Sequence, residues 1–274
     1  MSSMQQIANR VAMSPQDFKQ ITEFTIHWLG SAGVLLNYYG TTILIDPVLD
    51  QIEIDGQLWN KKDDLPMFQP VPIHMDDVSK VDAILYTHAD EDHIGSKTFQ
   101  VLAQKGSPIF CPAYVKEKFV LAGVEETQIT AVSYDSTFQI GEFDISCTKA
   151  LHDWPQRAGT KIFKYSLEDC VGYYMKTPSH SLWHPGDSKL LDEHLQFSSL
   201  DVLFIDYADD PHHFGFDNAV MLSNHYKNAK LFAIHWGTFQ SKKPALNVNP
   251  FEAQHWIEQQ ERLVIPSIGE KFCL

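Results

Sequence analysis

The stretch Thr87-His88-Ala89-Asp90-Glu91-Asp92-His93-Ile94-Gly95 follows the apolar run Ala83-Ile84-Leu85-Tyr86, which reads as a buried strand. His88, Asp90, Asp92 and His93 therefore fall within one short loop. Residues two apart at the end of an extended segment point the same way, so His88 and Asp90 can aim at one point. Asp92 and His93 sit where the chain must turn, and can aim at a neighbouring point. Imidazole and carboxylate together suit divalent zinc, manganese or iron. A solvated acidic loop with two incidental histidines is the competing reading of this stretch taken alone.

Three more ligand-type residues each follow an apolar run. They are His152 after Ile145-Ser146-Cys147-Thr148-Lys149-Ala150-Leu151, Asp187 within His184-Pro185-Gly186-Asp187-Ser188, and His235 after Leu231-Phe232-Ala233-Ile234. The order His-x-Asp-x-Asp-His, His, Gly-Asp and a late His resembles the metallo-β-lactamase superfamily. The ending Ala233-Ile234-His235-Trp236-Gly237-Thr238-Phe239 resembles the branch holding ascorbate-6-phosphate lactonase and N-acyl-phosphatidylethanolamine phospholipase D. Trp28-Leu29-Gly30-Ser31-Ala32-Gly33 and Ile43-Leu44-Ile45-Asp46-Pro47 match the same branch. The resemblance spans about residues 24 to 240. It implies an α/β protein, the four-layer αββα metallo-β-lactamase sandwich. In the usual pattern, His-x-His-x-Asp-His, a histidine stands where this chain has Asp90.

By that resemblance His88, Asp90 and His152 hold a first metal, Asp92, His93 and His235 a second, and Asp187 bridges both. Asp187, Asp92 and Asp46 are then the catalytic carboxylates, with Asp46 orienting the metal loop from behind. On its own residues Asp46 also reads as a turn before Pro47. The implied activity is hydrolysis of a lactone or phosphoester-type small substrate by a metal-bound hydroxide. The implied cofactor is zinc, one or two ions. The hard oxygen of Asp90 brings manganese or iron into consideration. Two further readings share the scaffold, since one fold hosts several chemistries. They are a di-iron oxygenase or redox protein and a non-catalytic metal-binding sensor.

The chain has 274 residues, 44% of them hydrophobic. That suffices for one substantial core, and no Pro/Gly/Ser-rich linker divides it, so residues 1–274 read as one domain. A net charge of -14 argues against nucleic acid as a partner, which needs a basic footprint. A small-molecule substrate, an anionic one included, remains compatible, because bound metal reverses the local field. Cys111, Cys147, Cys170 and Cys273 are scattered and read as thiols of a reducing compartment. No signal pattern and no membrane-spanning run is expected, which points to the cytoplasm.

Residues 1–22 read as an N-terminal arm packed on the outside, with Ser14-Pro15 opening a helical turn. Strands are expected at 24–29, 34–38 and 42–45, the last two joined at Tyr39-Gly40-Thr41. Residues 48–76 break the pattern and read as an irregular insertion, either a wall of the cleft or plain packing. Helices are expected at 97–105, 113–122, 189–197, 217–227 and 249–260. Further strands are expected at 108–111, 128–132, 137–140, 143–151, 171–176, 181–184, 202–207, 231–234 and 263–265. Residues 153–169 read as a polar loop. Trp154 in that loop, with Tyr207, His212 and His213 in the loop after 205, are the expected substrate contacts. A second metal site or a solvated loop are the alternatives for the latter.

Overall fold

Alternation along the early strands decides where the layers form. In Phe24–Gly30 the side chains of Phe24, Ile26 and Trp28 enter one apolar cluster while Leu29 enters another. The same division separates Val34 and Leu36 from Leu35, Ile43 and Ile45 from Leu44, and Ala83 and Leu85 from Ile84. Successive residues of a strand face opposite sides, so a strand apolar on both faces must be covered on both. In this computed structural model, which describes residues 6–19, 21–62, 64–158 and 161–274, that is what occurs.

Edge to edge, the first sheet runs Lys271–Cys273, Phe24–Gly30, Gly33–Tyr38, Thr41–Ile45, Ala83–Leu85, Ile109–Pro112 and Ile129–Val132. The second runs Leu263–Val264, Lys230–Ala233, Val202–Ile205, Ser181–His184, Val171–Lys176, Phe143–Lys149 and Thr137–Ile140. The inner faces meet in the larger cluster, which joins Trp28, Ile43 and Leu85 to Phe143, Tyr173 and Met175. Helices Thr98–Gln104 and Ala113–Leu121 cover the first sheet through Phe99, Leu102, Val115 and Phe119. Helix Phe216–His225 is the crossover between the parallel strands Val202–Ile205 and Lys230–Ala233, and buries Ala219 and Leu222. This is the expected αββα arrangement. Among the described residues no helix is long and apolar enough to cross a membrane.

Four expectations about elements need correction. Residues 48–76 contain a hairpin, Ile52–Ile54 with Gln57–Trp59. It turns at Asp55 and Gly56, both at positive φ (52° and 78°), the Asp-Gly signal of a tight hairpin. The stretch 153–169 also contains a hairpin, Pro155–Ala158 with Lys161–Lys164. The helix expected at 189–197 shrinks to the 3₁₀ turn Asp192–Leu195. There Lys189 N–H donates to the Leu151 carbonyl at 2.8 Å and the His194 ring reaches the Lys149 carbonyl at 2.8 Å, so the backbone is tied to the neighbouring strand. The last helix stops at Pro250–Ala253 and a 3₁₀ turn, Gln254–Trp256. Asn224 bonds the Trp256 carbonyl and the Glu258 N–H, and the chain leaves the helix to bury Ile257.

The N-terminal arm crosses the far loops. Ala8 is buried and its N–H donates to the Gly237 carbonyl, Arg10 bridges to Ile268, and Met13 N–H donates to the Pro72 carbonyl. Ser14 caps the turn Pro15–Phe18, as its Ser-Pro start predicts.

Candidate metal centre

The chemistry-bearing residues lie just beyond strand ends. Asp46 follows Thr41–Ile45, His88 follows Ala83–Leu85, and His152 follows Phe143–Lys149. Asp187, Asp206 and His235 follow Ser181–His184, Val202–Ile205 and Lys230–Ala233. Within each sheet the strands concerned include parallel neighbours, so their carboxyl ends coincide, the usual location of sites in such sheets. Asp46 (φ 43°) and His235 (φ 61°) leave their strands in the left-handed region. A residue with a Cβ adopts that region at a cost and persists there only if its surroundings impose it. Here the Asp46 N–H is tied to the Leu85 carbonyl at 2.9 Å and the His235 N–H to the Ser31 carbonyl at 2.7 Å. The turn Glu91–Ile94 brings Asp92 and His93 round, and Gly95 ends it at φ 66°. A Cβ at Gly95 would lie 2.0 Å from the Asp50 carboxylate. That carboxylate accepts from the N–H groups of Ser96 and Lys97 and from the hydroxyls of Ser96 and Thr98.

All seven residues expected as ligands converge. One oxygen of Asp187 lies 3.1 Å from His93 Nε2, 3.8 Å from His88 Nε2 and 3.8 Å from His235 Nε2. Asp90 Oδ2 is 3.3 Å from His152 Nε2 and 3.6 Å from His88 Nε2, and Asp92 Oδ2 is 3.3 Å from His235 Nε2. His88, His152 and Asp187 form one group whose ligand atoms lie within 4.8 Å of each other, and Asp92, His93 and His235 form another.

The far ring nitrogens are all engaged. His93 Nδ1 donates to Asp46 Oδ2 at 2.8 Å, His152 Nδ1 to the His212 carbonyl at 3.0 Å, and His235 Nδ1 to the Ala245 carbonyl at 2.8 Å. Asp46 also accepts from the Thr87 N–H (2.8 Å) and hydroxyl (2.6 Å), and that hydroxyl lies 3.0 Å from His88 Nδ1. Each Nε2 is thereby turned towards the centre, the orientation that ligand histidines require.

Whether a cation fits can be judged from the donors. Among the described residues, His88 Nε2 and His235 Nε2 are buried without a hydrogen-bond partner of acceptable geometry, although carboxylate oxygens lie nearby. Buried polar atoms are normally satisfied, and a divalent ion among imidazoles and carboxylates would satisfy both. Charge agrees. Burial opposes a proton on His93, yet Asp187 and Asp46 outweigh it and hold the imidazole well above its ordinary pKa. His235 is likewise raised against its burial, by Asp187 and Asp92. Burial and the neighbouring His93 push His88 down. Burial also disfavours charge on Asp187, but His93 and its neighbours hold it well below the carboxylate range. Protons on imidazoles thus balance these carboxylates, and a divalent ion would replace them.

His213 and Asp206 complete the cluster. His213 Nε2 lies 3.5 Å from Asp187 Oδ2, and its Nδ1 meets Asp206 Oδ2 at 3.1 Å. Burial works against its proton, but Asp187 and Asp206 raise it to about 10. His213 is expected from sequence as a substrate contact, with a second metal site or a solvated loop as the alternatives, and Asp206 is not among the expected site residues. Its signal is the one that marks Asp46 and His235, a ligand-type residue directly after a buried apolar run. Of the other expected contacts, Trp154 lines the cavity at the cluster. Tyr207 does not line it, because its hydroxyl is turned to Ser223 Oγ at 3.0 Å. Neither does His212, whose ring meets Asp153 at 2.7 Å while its carbonyl supports His152.

The cavity is small, about 190 Å³, and open to solvent on one side. Beyond the cluster it is lined by Asp64, Leu65, Glu91, Trp154, Lys243 and Leu246, so the insertion at 48–76 forms part of its wall. Glu91 pairs with Lys61, whereas Lys243, among the described residues, has no carboxylate partner and lies 5.9 Å from the Trp154 ring. A larger cavity of about 670 Å³ lies beyond Tyr207 and Phe216. None of the clustered ligand-type residues lines it, whereas Asp90, Asp92, His152, Asp187, His213 and His235 line the smaller one.

Residues 41–236 match the family described as the beta-lactamase superfamily domain. A UPF0173 metal-dependent hydrolase from Lawsonia intracellularis is 22% identical over 240 residues, which cover 85% of this chain and 90% of its own. A protein from Escherichia coli described as probable L-ascorbate-6-phosphate lactonase is 23% identical over 216 residues, covering 69% of this chain and 61% of its own. Among solved structures, the isothiocyanate hydrolase from Delia radicum gut bacteria has a TM-score of 0.67 at 18% identity, over 91% of this chain and 98% of its own.

Proposed function

The chain belongs to the beta-lactamase superfamily, and from that premise we propose that it is a metal-dependent hydrolase acting on a small lactone or phosphoester that carries an anionic group. The observation that carries this is Asp187, one oxygen of which lies within 3.8 Å of four imidazole nitrogens. His88, Asp90 and His152 would hold one ion, Asp92, His93 and His235 a second, and Asp187 would serve both. Zinc suits the imidazoles, while manganese and iron suit the carboxylates. Bound there, a divalent ion supplies a water acidified from about 15.7 towards 7 and a Lewis acid for the carbonyl or phosphoryl oxygen.

The protein's own groups do the rest. Asp46 holds His93 and Thr87 in register. Burial disfavours charge on Asp92, but its hydrogen bond to His235 keeps it ionised, the form in which a carboxylate holds an ion. Asp206 keeps a proton on His213, whose Nε2 faces the cavity beside Asp187, where a leaving oxygen would need one. Lys243 offers a cation to an anionic substituent, and Trp154, Leu65 and Leu246 offer an apolar wall. A volume of about 190 Å³ is below the roughly 300–1,000 Å³ of drug-sized sites, which favours a small substrate. The four cysteines are unpaired thiols, which supports a reducing compartment such as the cytoplasm.

A redox role on iron is the second reading, favoured by the three carboxylates Asp90, Asp92 and Asp187. Elemental analysis, a panel of lactones and phosphoesters, and an oxygen electrode separate the two. Hydrolysis that needs bound metal is expected. Oxygen consumption without hydrolysis, or a protein that binds no metal on titration, would overturn the proposal.

A further inference from the structure

Asp90 stands where the resemblance calls for histidine, and the fold gives it a partner that an imidazole would not need. Tyr165, just past the strand Lys161–Lys164, is buried. Its hydroxyl donates to Asp90 Oδ1 at 2.7 Å. The other oxygen, Oδ2, faces His152 and His88. The tyrosine ring is itself held, edge-on to His88 at 5.9 Å and to Tyr114 at 5.9 Å. Among the described residues, one carboxylate oxygen of Asp90 thus accepts from a phenol while the other faces the imidazoles.

We propose that Tyr165 is a positioning residue for metal selection: by occupying Asp90 Oδ1 it restricts Asp90 to a single donor oxygen, so that a carboxylate does the work of one imidazole nitrogen. This rests on the metal-binding reading above. The physical reason is coordination number. A carboxylate can grip a cation through both oxygens, which raises the ligand count and suits larger, oxygen-preferring ions. Zinc prefers about four ligands at close range. A histidine at position 90 would offer one nitrogen whatever its neighbours did. An aspartate does so only if something holds its second oxygen, and Tyr165 is placed to do that.

The test is a double-mutant cycle on the full chain, read as the ratio of zinc to manganese affinity in chelator competition at one fixed pH. Tyr165→Phe removes the donor and keeps the ring. Losses of ~10–100-fold in metal affinity are typical when a group behind a ligand is removed, so the zinc-to-manganese ratio should fall about tenfold. In the Asp90→His background, where no carboxylate needs holding, the same change should leave the ratio within about twofold. Thermal denaturation checks that each variant folds. Should Tyr165→Phe fail to fold, Tyr165→Met, which also lacks the donor, takes its place with the same expectation. An unchanged ratio in the native background, or an equal fall in both backgrounds, overturns the role of Tyr165. Wild-type protein that binds neither ion overturns the metal reading itself, which is a separate result.

Discussion

Asp46 and Asp187 are both buried carboxylates bonded to His93, yet their removal should have opposite rank orders in two assays. Asp46 is fully buried and accepts three hydrogen bonds, from the Thr87 N–H, the Thr87 hydroxyl and His93 Nδ1. In Asp46→Ala the Thr87 hydroxyl can rotate, but the N–H and the Nδ1–H are left without an acceptor. Each orphaned buried donor costs about 1–3 kcal/mol, so the metal-free protein should lose roughly 2–6 kcal/mol. Metal affinity should fall ~10–100-fold, as it does when a ligand loses its orienting partner. Among the described residues Asp187→Ala removes one hydrogen bond, that to His93 Nε2 at 3.1 Å, and should destabilise the metal-free protein by less, about 1.5–3 kcal/mol. It also deletes the group between the two ligand sets, so metal affinity and hydrolysis should fall further than in Asp46→Ala. Urea denaturation of metal-free protein gives the first order, and chelator competition with zinc the second. The same variant proving worse in both assays would refute this division of roles. So would an Asp46→Ala protein as stable as wild type.

Gly186, next to Asp187, has φ 63°, and a Cβ there would lie 2.9 Å from the Thr87 Cβ and 2.9 Å from the Val171 carbonyl. Gly186→Ala should therefore cost about 1–3 kcal/mol and weaken zinc binding, whereas Gly123→Ala, at φ 92° in open space, should cost less and leave zinc binding alone; denaturation and chelator titration of both check this. The pH dependence of the metal-free protein has a definite sign. His213 is raised to about 10 by Asp187 and Asp206 against its burial, so its stabilisation is complete below the ordinary histidine range near 6.5 and is lost as pH climbs towards 10. Melting temperature should fall over that window, and Asp206→Asn should shift the fall to lower pH; a flat profile would contradict the pairing. Zinc binding must instead displace the protons held on the candidate ligands His93 and His235, both raised above the ordinary histidine range against their burial, so apparent zinc affinity should rise as pH climbs above that range, and calorimetry in two buffers of different ionisation heat would measure the release.

Residues 24–45, 83–94 and 230–235 carried most of what was legible. Their strands are dictated locally, because alternation between two clusters and strand-end ligands are properties of neighbours in the chain. His88, Asp90, Asp92, His93, His152, Asp187 and His235 stood out as candidates for the same reason, each lying in or just after an apolar run, while the resemblance supplied their grouping into two ligand sets. The helices expected at 189–197 and 249–260 failed because distant groups, the Leu151 carbonyl and the Asn224 amide, claimed their backbone. The placement of His213, Asp206 and Tyr165 at the cluster was decided only by the tertiary structure. So was the turning of Tyr207 and His212 away from the cavity. Tyr165 lies 75 residues from Asp90, and His213 lies 26 beyond Asp187. No periodicity links such residues. Whether a phenol or a second metal ligand meets Asp90 depends on how two sheets dock, and a hydrogen bond forms or fails over a few tenths of an ångström.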